Sequence, residues 1–271
     1  MLFLNLLSKA IQKFSSKINN NRDCDDDRGN HWGGHNNKDC DDHKPDDCHD
    51  YKDECGCDDK FVIDRNTVII NGTSGIDRII AGEGDQTVYG FGGNDNIAGR
   101  SGNDQLSGGA GNDTIAGDIG DDLICGGEGD DFLLGNRSDD EVYGGKGNDQ
   151  LYGGEQNDVL YGGYGNDYVS GDEGSDILYG NSGADVFAYG KEEGTLEFGN
   201  DIIKDFELDG RGREGDSIKI INLGTAFDTY AEVRSVAQQM GNDVLFNFGN
   251  NRTLLVEDVR VSDLTSDYFI F

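Results

Sequence analysis

Between Gly72 and Ala188 one large apolar residue returns at every ninth position, thirteen times, with no insertion or deletion. The thirteen are Ile79, Val88, Ile97, Leu106, Ile115, Ile124, Leu133, Val142, Leu151, Leu160, Val169, Leu178 and Phe187. Two clear copies of the unit are Gly108-Gly-Ala-Gly-Asn-Asp-Thr-Ile-Ala116 and Gly144-Gly-Lys-Gly-Asn-Asp-Gln-Leu-Tyr152. Each nonapeptide divides into a turn at positions 1–6 and a short strand at positions 7–9. Side chains alternate along a strand, so only the residue at position 8 points inward. Positions 7 and 9 are mixed. A stripe this sparse predicts a thin core between two parallel sheets.

The flanks follow other patterns. Residues 1–19 place Leu2, Phe3, Leu6, Leu7, Ala10, Ile11, Phe14 and Ile18 on one helical face, with Lys9, Lys13 and Lys17 opposite. This predicts a short amphipathic helix that docks on its own protein or a partner, with attachment to a membrane surface as the alternative. It fits a secretory signal peptide poorly, because lysines interrupt the apolar part and no small-residue cleavage site follows. Residues 20–60 carry fourteen acidic residues and hardly an aliphatic one, too little for a core. Residues 61–71 contain the β-like runs Phe61-Val-Ile and Thr67-Val-Ile-Ile70, a natural first coil or cap. Past Ala188 the period stops, and residues 189–271 read as a C-terminal β-rich cap. Its strands are expected at Asp201–Phe206, Ser217–Ile221, Asp243–Phe248 and Thr253–Val256, separated by Gly- and Asn-rich turns. A solenoid needs such an atypical end to seal it.

Composition narrows the functional classes. The chain has 271 residues, 34% hydrophobic, with 54 acidic against 22 basic residues and a net charge of −32. Such a charge argues against nucleic-acid binding and against anionic membrane surfaces. It either keeps a chain disordered or recruits cations. No apolar run approaches the roughly 18 residues of a membrane span.

The repeats carry the cation chemistry. Position 6 is aspartate in twelve of thirteen copies, Gln86 being the exception. If two nonapeptides make one coil, aspartates 18 residues apart stack at ~4.8 Å. Two bare carboxylates at that distance repel by roughly 3 kcal/mol at an effective dielectric near 20. A hard divalent cation removes the repulsion, and calcium accepts six to eight carboxylate and carbonyl oxygens. Glycine allows the turn to take positive φ, and asparagine at position 5 (Asn94, Asn103, Asn112, Asn148, Asn157, Asn166) tolerates left-handed geometry.

One edge is expected to carry Asp77, Asp95, Asp113, Asp131, Asp149, Asp167 and Asp185, with Gly75, Gly93, Gly111, Gly129, Gly147, Gly165 and Gly183 supplying turn carbonyls. The other carries Asp104, Asp122, Asp140, Asp158 and Asp176, with Gly102, Gly120 and Gly174, but Ser138 and Gln156 replace two position-4 glycines. Six good sites are expected on the first edge. About four are expected on the second, weaker near Asp140 and Asp158, for about ten calcium ions in all. Thirty of the 43 glycines lie in the repeats, and each costs entropy to order. The expectation is a chain disordered without calcium and folded with it.

The consensus G-G-x-G-x-D-x-U-x, with U apolar, resembles the calcium-binding nonapeptide of the RTX family. The resemblance implies an all-β fold: a parallel β-roll solenoid of thirteen nonapeptide repeats with a C-terminal β-rich cap and, here, a short N-terminal helix. It implies ions held between successive turns on each edge. Gly199-Asn-Asp-Ile-Ile-Lys-Asp-Phe206 and Gly215-Asp-Ser-Ile-Lys-Ile220 resemble the cap of such rolls. Leu264-Thr-Ser-Asp-Tyr-Phe-Ile-Phe271 resembles the uncleaved C-terminal signal of type I secretion substrates, which implies export through the type I machinery and calcium-driven folding outside the cell.

An enzyme is not expected. The chain has no H-E-x-x-H and no G-x-S-x-G, and no histidine follows His49. The Cys/His segment leaves alternatives open. Cys24, Cys40, Cys48, Cys55 and Cys57, with His31 and His35, suit either disulfides or a transition-metal site, though their spacing matches no common zinc motif. Cys125, at an outward strand position, is a candidate partner for the odd cysteine. Tyr143, Tyr161 and Tyr179 should stack, either under other parts of the chain or as a surface for self-association or glycans. The reading is a secreted calcium-binding protein with a structural or adhesive role at the cell surface or in extracellular matrix. The alternatives are an accessory or toxin-like factor active through its N-terminal segment, or a calcium or metal buffer.

Overall fold

The computed structural model describes residues 68–190, 199–208, 215–221, 223 and 227–271, all inside one compact unit, His49–Phe271. The expected helix at 1–19 and the cysteine/histidine segment at 20–60 lie outside the described residues.

Strands alternate between two sheets as the nonapeptides succeed one another. Val68–Thr73 pairs in parallel with Gln86–Phe91, setting Ile70 opposite Val88, 18 residues on. The same register runs on through Leu106, Ile124, Val142, Leu160 and Leu178. The second sheet opens with Arg78–Ile80 and repeats the shift from Ile79 to Ile97, Ile115, Leu133, Leu151, Val169 and Phe187. Fourteen strands, two per coil, give a right-through stack of seven coils ending at Gly190. All thirteen position-8 residues are buried, most of them completely. These rows of Leu, Ile, Val and Phe, one from each sheet, form the apolar core of the roll together with Ala81 and Tyr189.

The strands are longer than the sequence suggested. Gln105–Ala110 is typical: six residues, covering positions 7–9 and then positions 1–3 of the next unit. Its burial alternates so that Leu106 and Gly108 both face inward. The turn proper is therefore only positions 4–6. Position 1 is a buried strand position, and its glycine answers to what lies beside it rather than to turn geometry.

The cap continues both sheets past the last repeat. Asn200–Ile203 adds in parallel to Ile177–Ser182, and Arg252–Val256, Asp243–Gly249 and Ala237–Met240 follow. Ser217–Ile221 and Phe269–Ile270 extend the other sheet. The expected strand Asp201–Phe206 stops at Ile203. Beyond it Lys204 reaches Glu257 at 2.7 Å, Asp205 accepts the N–H groups of Gly180 and Asn181, and Phe206 packs on Phe187. Two elements carried no readable apolar alternation: the exposed edge strand Ala237–Met240 and a six-residue helix, Tyr230–Ser235. The helix begins at Thr229, whose hydroxyl accepts the Glu232 N–H at 3.4 Å and donates to the Glu232 carboxylate at 2.6 Å. Aromatic packing fills this end: Tyr189 stacks on Phe248 with centroids 5.1 Å apart, and Phe246 meets Phe269 edge-on at 5.9 Å.

Candidate metal sites

Inside the stack each position-6 aspartate uses its two oxygens differently. Oδ1 accepts the backbone N–H of the residue 18 positions earlier, so Asp95 donates to Asp113 at 2.7 Å, Asp113 to Asp131 at 2.7 Å and Asp131 to Asp149 at 2.8 Å. The second edge repeats this from Gln86 through Asp104, Asp122, Asp140 and Asp158 to Asp176. The carboxylates thus take the position-6 N–H groups, while backbone carbonyls take those of positions 4 and 7, as in Gly111 to Glu128 and Thr114 to Asp95. Oδ2 turns inward beneath the position-1 glycine of its own repeat. A Cβ on Gly108 would lie 2.2 Å from Asp113 Oδ2 and 2.8 Å from the Gly126 carbonyl oxygen. That contact is the reason for glycine at this position, where φ is ordinary.

The Oδ2 atoms of Asp95, Asp113, Asp131, Asp149 and Asp167 on one edge, and of Asp104, Asp122, Asp140, Asp158 and Asp176 on the other, are buried with no hydrogen-bond partner. A buried polar atom left without a partner costs about 1–3 kcal/mol, and a charged one more. Ten of them, five on each edge, demand a compensating positive charge or a proton. Burial accordingly pushes these carboxyls upward, to about 7 for Asp122, about 8 for Asp131 and Asp140 and about 9 for Asp158. The backbone N–H on Oδ1 pulls the other way and neighbouring carboxylates add to the rise.

The odd repeat shows what the turn lacks. In Ala81–Gln86 the Gln86 amide donates to the carbonyls of Glu83 and Gly84, while its Oε1 accepts the Gly82 N–H at 3.0 Å. A neutral amide fills this turn and uses the position-4 carbonyl. Among the described residues the matching carbonyls of Gly93, Gly102, Gly111, Gly120 and Gly129 receive no such donor. The same repeat is the one copy with alanine at position 1, because no carboxylate oxygen needs the space under Ala81. An all-oxygen, anionic, buried donor set of this kind fits a hard divalent cation such as calcium.

The residues singled out from the sequence fall into place unevenly. Nine of the ten named position-4 glycines have positive φ, Gly75 being the exception. Ser138 and Gln156 adopt the same conformation, at φ 90° and 82°, and Asp140 and Asp158 keep the common geometry. The carboxylates of the two edges are therefore alike, five orphaned oxygens on each. At position 4, only the second edge holds non-glycine residues at positive φ, Ser138 and Gln156. Asn94, Asn103, Asn112, Asn148, Asn157 and Asn166 do not take left-handed geometry. Their value is as acceptors: Asn112 Oδ1, for example, takes the N–H of Asp130 at 3.2 Å. Asp77 is an end rung, its Oδ2 engaged by the N–H and hydroxyl of Thr73 at 2.6 and 2.9 Å.

Two further rungs escaped the periodicity. Asp201 accepts the Asp176 N–H at 3.2 Å and Asp216 the Asp185 N–H at 2.9 Å, although 25 and 31 residues separate the pairs. The signal was present: Gly199-Asn-Asp-Ile-Ile203 keeps repeat positions 4–8 behind an insertion. On the outer face the tyrosine ladder forms, with successive centroids of Tyr143, Tyr161 and Tyr179 4.6 Å apart. Beside it Cys125 is buried and disulfide-bonded. The remaining cysteines, with His31 and His35, lie outside the described residues.

Residues 71–196 match the model of the RTX calcium-binding nonapeptide repeat in six overlapping placements. This part of the chain belongs to the RTX repeat family. Among solved structures, the extracellular lipase LipA from Serratia marcescens is similar at 18% identity with a TM-score of 0.31, over 78% of this chain and 40% of that one. This chain thus spans less than half the length of that protein. No curated protein matches it. Among the described residues no helix is long and apolar enough to cross a membrane.

Proposed function

We propose that this RTX protein is secreted, folds on calcium outside the cell, and serves a structural or adhesive role, non-enzymatic, at the cell surface or in extracellular matrix. The observation that supports the reading is the double file of ten buried carboxylate oxygens without donors. When bound, calcium supplies the positive charge those oxygens lack. The chain's own residues do the rest. Asp Oδ1 atoms fix each turn on the next, position-1 glycines leave room for Oδ2, and the position-4 glycines turn their carbonyls free of N–H donors. The site aspartates are Asp95, Asp113, Asp131, Asp149 and Asp167 on one edge and Asp104, Asp122, Asp140, Asp158 and Asp176 on the other.

A calcium-poor cell interior would leave the acidic, glycine-rich chain unfolded and fit for threading through a type I exporter, while millimolar calcium outside would close the roll. Fractionation of producing cells tests this. The protein is expected in the surface or matrix fraction in calcium and in the soluble medium after chelation. Retention inside the cell under both conditions would contradict it.

A further inference from the structure

The two ladders run into the cap and end differently. On the first edge Asp216 has both oxygens engaged by backbone donors: Oδ1 by Asp185 N–H at 2.9 Å and Oδ2 by Glu207 N–H at 2.7 Å. On the second edge no such pair of backbone donors closes the last rung among the described residues. Asp176 is fully buried with Oδ2 unpartnered. Asp201, its neighbour from the cap, is 2% exposed and accepts the Asp176 N–H at a long 3.2 Å. A Cβ on Gly199 would collide with the Gly174 carbonyl oxygen, as one on Gly183 would with that of Gly165 inside the roll. The pairing Ile177–Ile202 and Leu178–Ile203 carries the sheet register across the junction. The sheet register, the turn glycine and the position-6 aspartate of an internal rung thus recur here, from two regions of the chain.

We propose that a hard divalent cation, calcium, is bound between Asp176 and Asp201 and fastens the cap to the roll, whereas the Asp185–Asp216 rung closes without metal. The carboxylate pair is buried, and among the described residues no ion pair brings a cationic side chain to it. Calcium tolerates the mixed carboxylate and carbonyl donors of such a turn. Placed there, one ion joins the last coil to the first cap strand, so cap docking becomes calcium-dependent even though the cap has its own aromatic core.

The inference rests on the calcium reading, and the test separates the two. Ions bound to the full-length chain are counted by native mass spectrometry in saturating calcium, for wild type, Asp201→Asn and Asp216→Asn. Asparagine at 201 keeps the oxygen that receives the Asp176 N–H, while at 216 it keeps one acceptor oxygen and gives up the bond to either the Asp185 or the Glu207 N–H. Asp201→Asn is expected to hold one ion fewer than wild type and to release the cap to limited proteolysis at calcium levels that protect it in wild type. Asp216→Asn is expected to hold the wild-type number. An unchanged count in Asp201→Asn, or an equal loss in Asp216→Asn, overturns the proposal. Should Asp201→Asn not fold, anomalous difference density in crystals of the wild-type chain decides: a peak between Asp176 and Asp201 supports the site, and its absence with peaks elsewhere on the ladder overturns it. A wild-type chain that binds no calcium would instead sink the proposed function itself.

Discussion

Each of five successive coils, from Asp95 to Asp176, contributes two inward apolar side chains, Leu133 and Val142 for instance, and two carboxylate oxygens with no donor. The cap buries Val244, Phe246, Phe248, Leu254, Val256, Val259, Leu264 and Phe269 together, and its aspartates 205 and 216 each accept at least two backbone N–H groups. Both regions belong to the same two sheets, yet different forces hold them. Full burial of one aliphatic side chain is worth about 1.5–3 kcal/mol. One such residue per nine does not offset the conformational entropy of ordering the other eight at ~1–2 kcal/mol each. The cap meets that demand with packing. The roll must meet it with charge brought in from solution.

The sharpest way to break the contrast is to fill the space the carboxylates use. Gly108→Ala would put a methyl group 2.2 Å from Asp113 Oδ2 inside the roll. It is expected to destabilise by about 3 kcal/mol or more, read as a large rise in the calcium concentration needed for β structure. Gly241→Ala in the cap meets no atom within 4 Å but takes a strained φ of +73°, and should cost only about 1 kcal/mol with no change in calcium requirement. Equal effects would show that the space under position 1 has nothing to do with the metal.

A second, smaller effect concerns protons. The roll aspartates have folded-state values raised to about 6 for Asp104 and Asp113 and as far as about 9 for Asp158. A raised value means that the folded state holds protons more tightly than the unfolded one. Without calcium, stability is therefore greatest below the ordinary carboxylate value and is lost as pH rises through about 6 to 9. Circular dichroism in chelator should show more β structure near pH 4 than at pH 8. With calcium present the order should reverse, because protons compete for the same oxygens. A chelated roll that gains structure as pH rises would contradict this.

The smallest effect separates the two edges. Ser138 and Gln156 hold positive φ that costs a non-glycine residue on the order of 1 kcal/mol. Ser138→Gly and Gln156→Gly should each lower the calcium midpoint modestly, and Gly129→Ser on the other edge should raise it by more, since a Cβ there would lie 2.3 Å from the Gly111 carbonyl oxygen.

What the chain disclosed in advance follows the same division. The position-8 file and the aspartate ladders were legible because a strict nine-residue period leaves one register for both. The position-1 glycines were misread as turn residues, since glycine chosen for φ and glycine chosen for space look identical. The joint change at Ala81 and Gln86 was the clue that distinguishes them. In the cap, insertions of seven and thirteen residues hid Asp201 and Asp216 from the period. The strand Ala237–Met240 was illegible because an exposed edge needs no apolar alternation.

The central claim is that cations on the buried carboxylates hold the roll together. A calcium titration of the full-length chain at neutral pH, followed by far-ultraviolet circular dichroism with bound ions counted at the endpoint, tests it most directly. The expected result is a cooperative appearance of β structure that saturates at about ten ions. A full β signal in excess chelator, unchanged on adding calcium, would contradict the account.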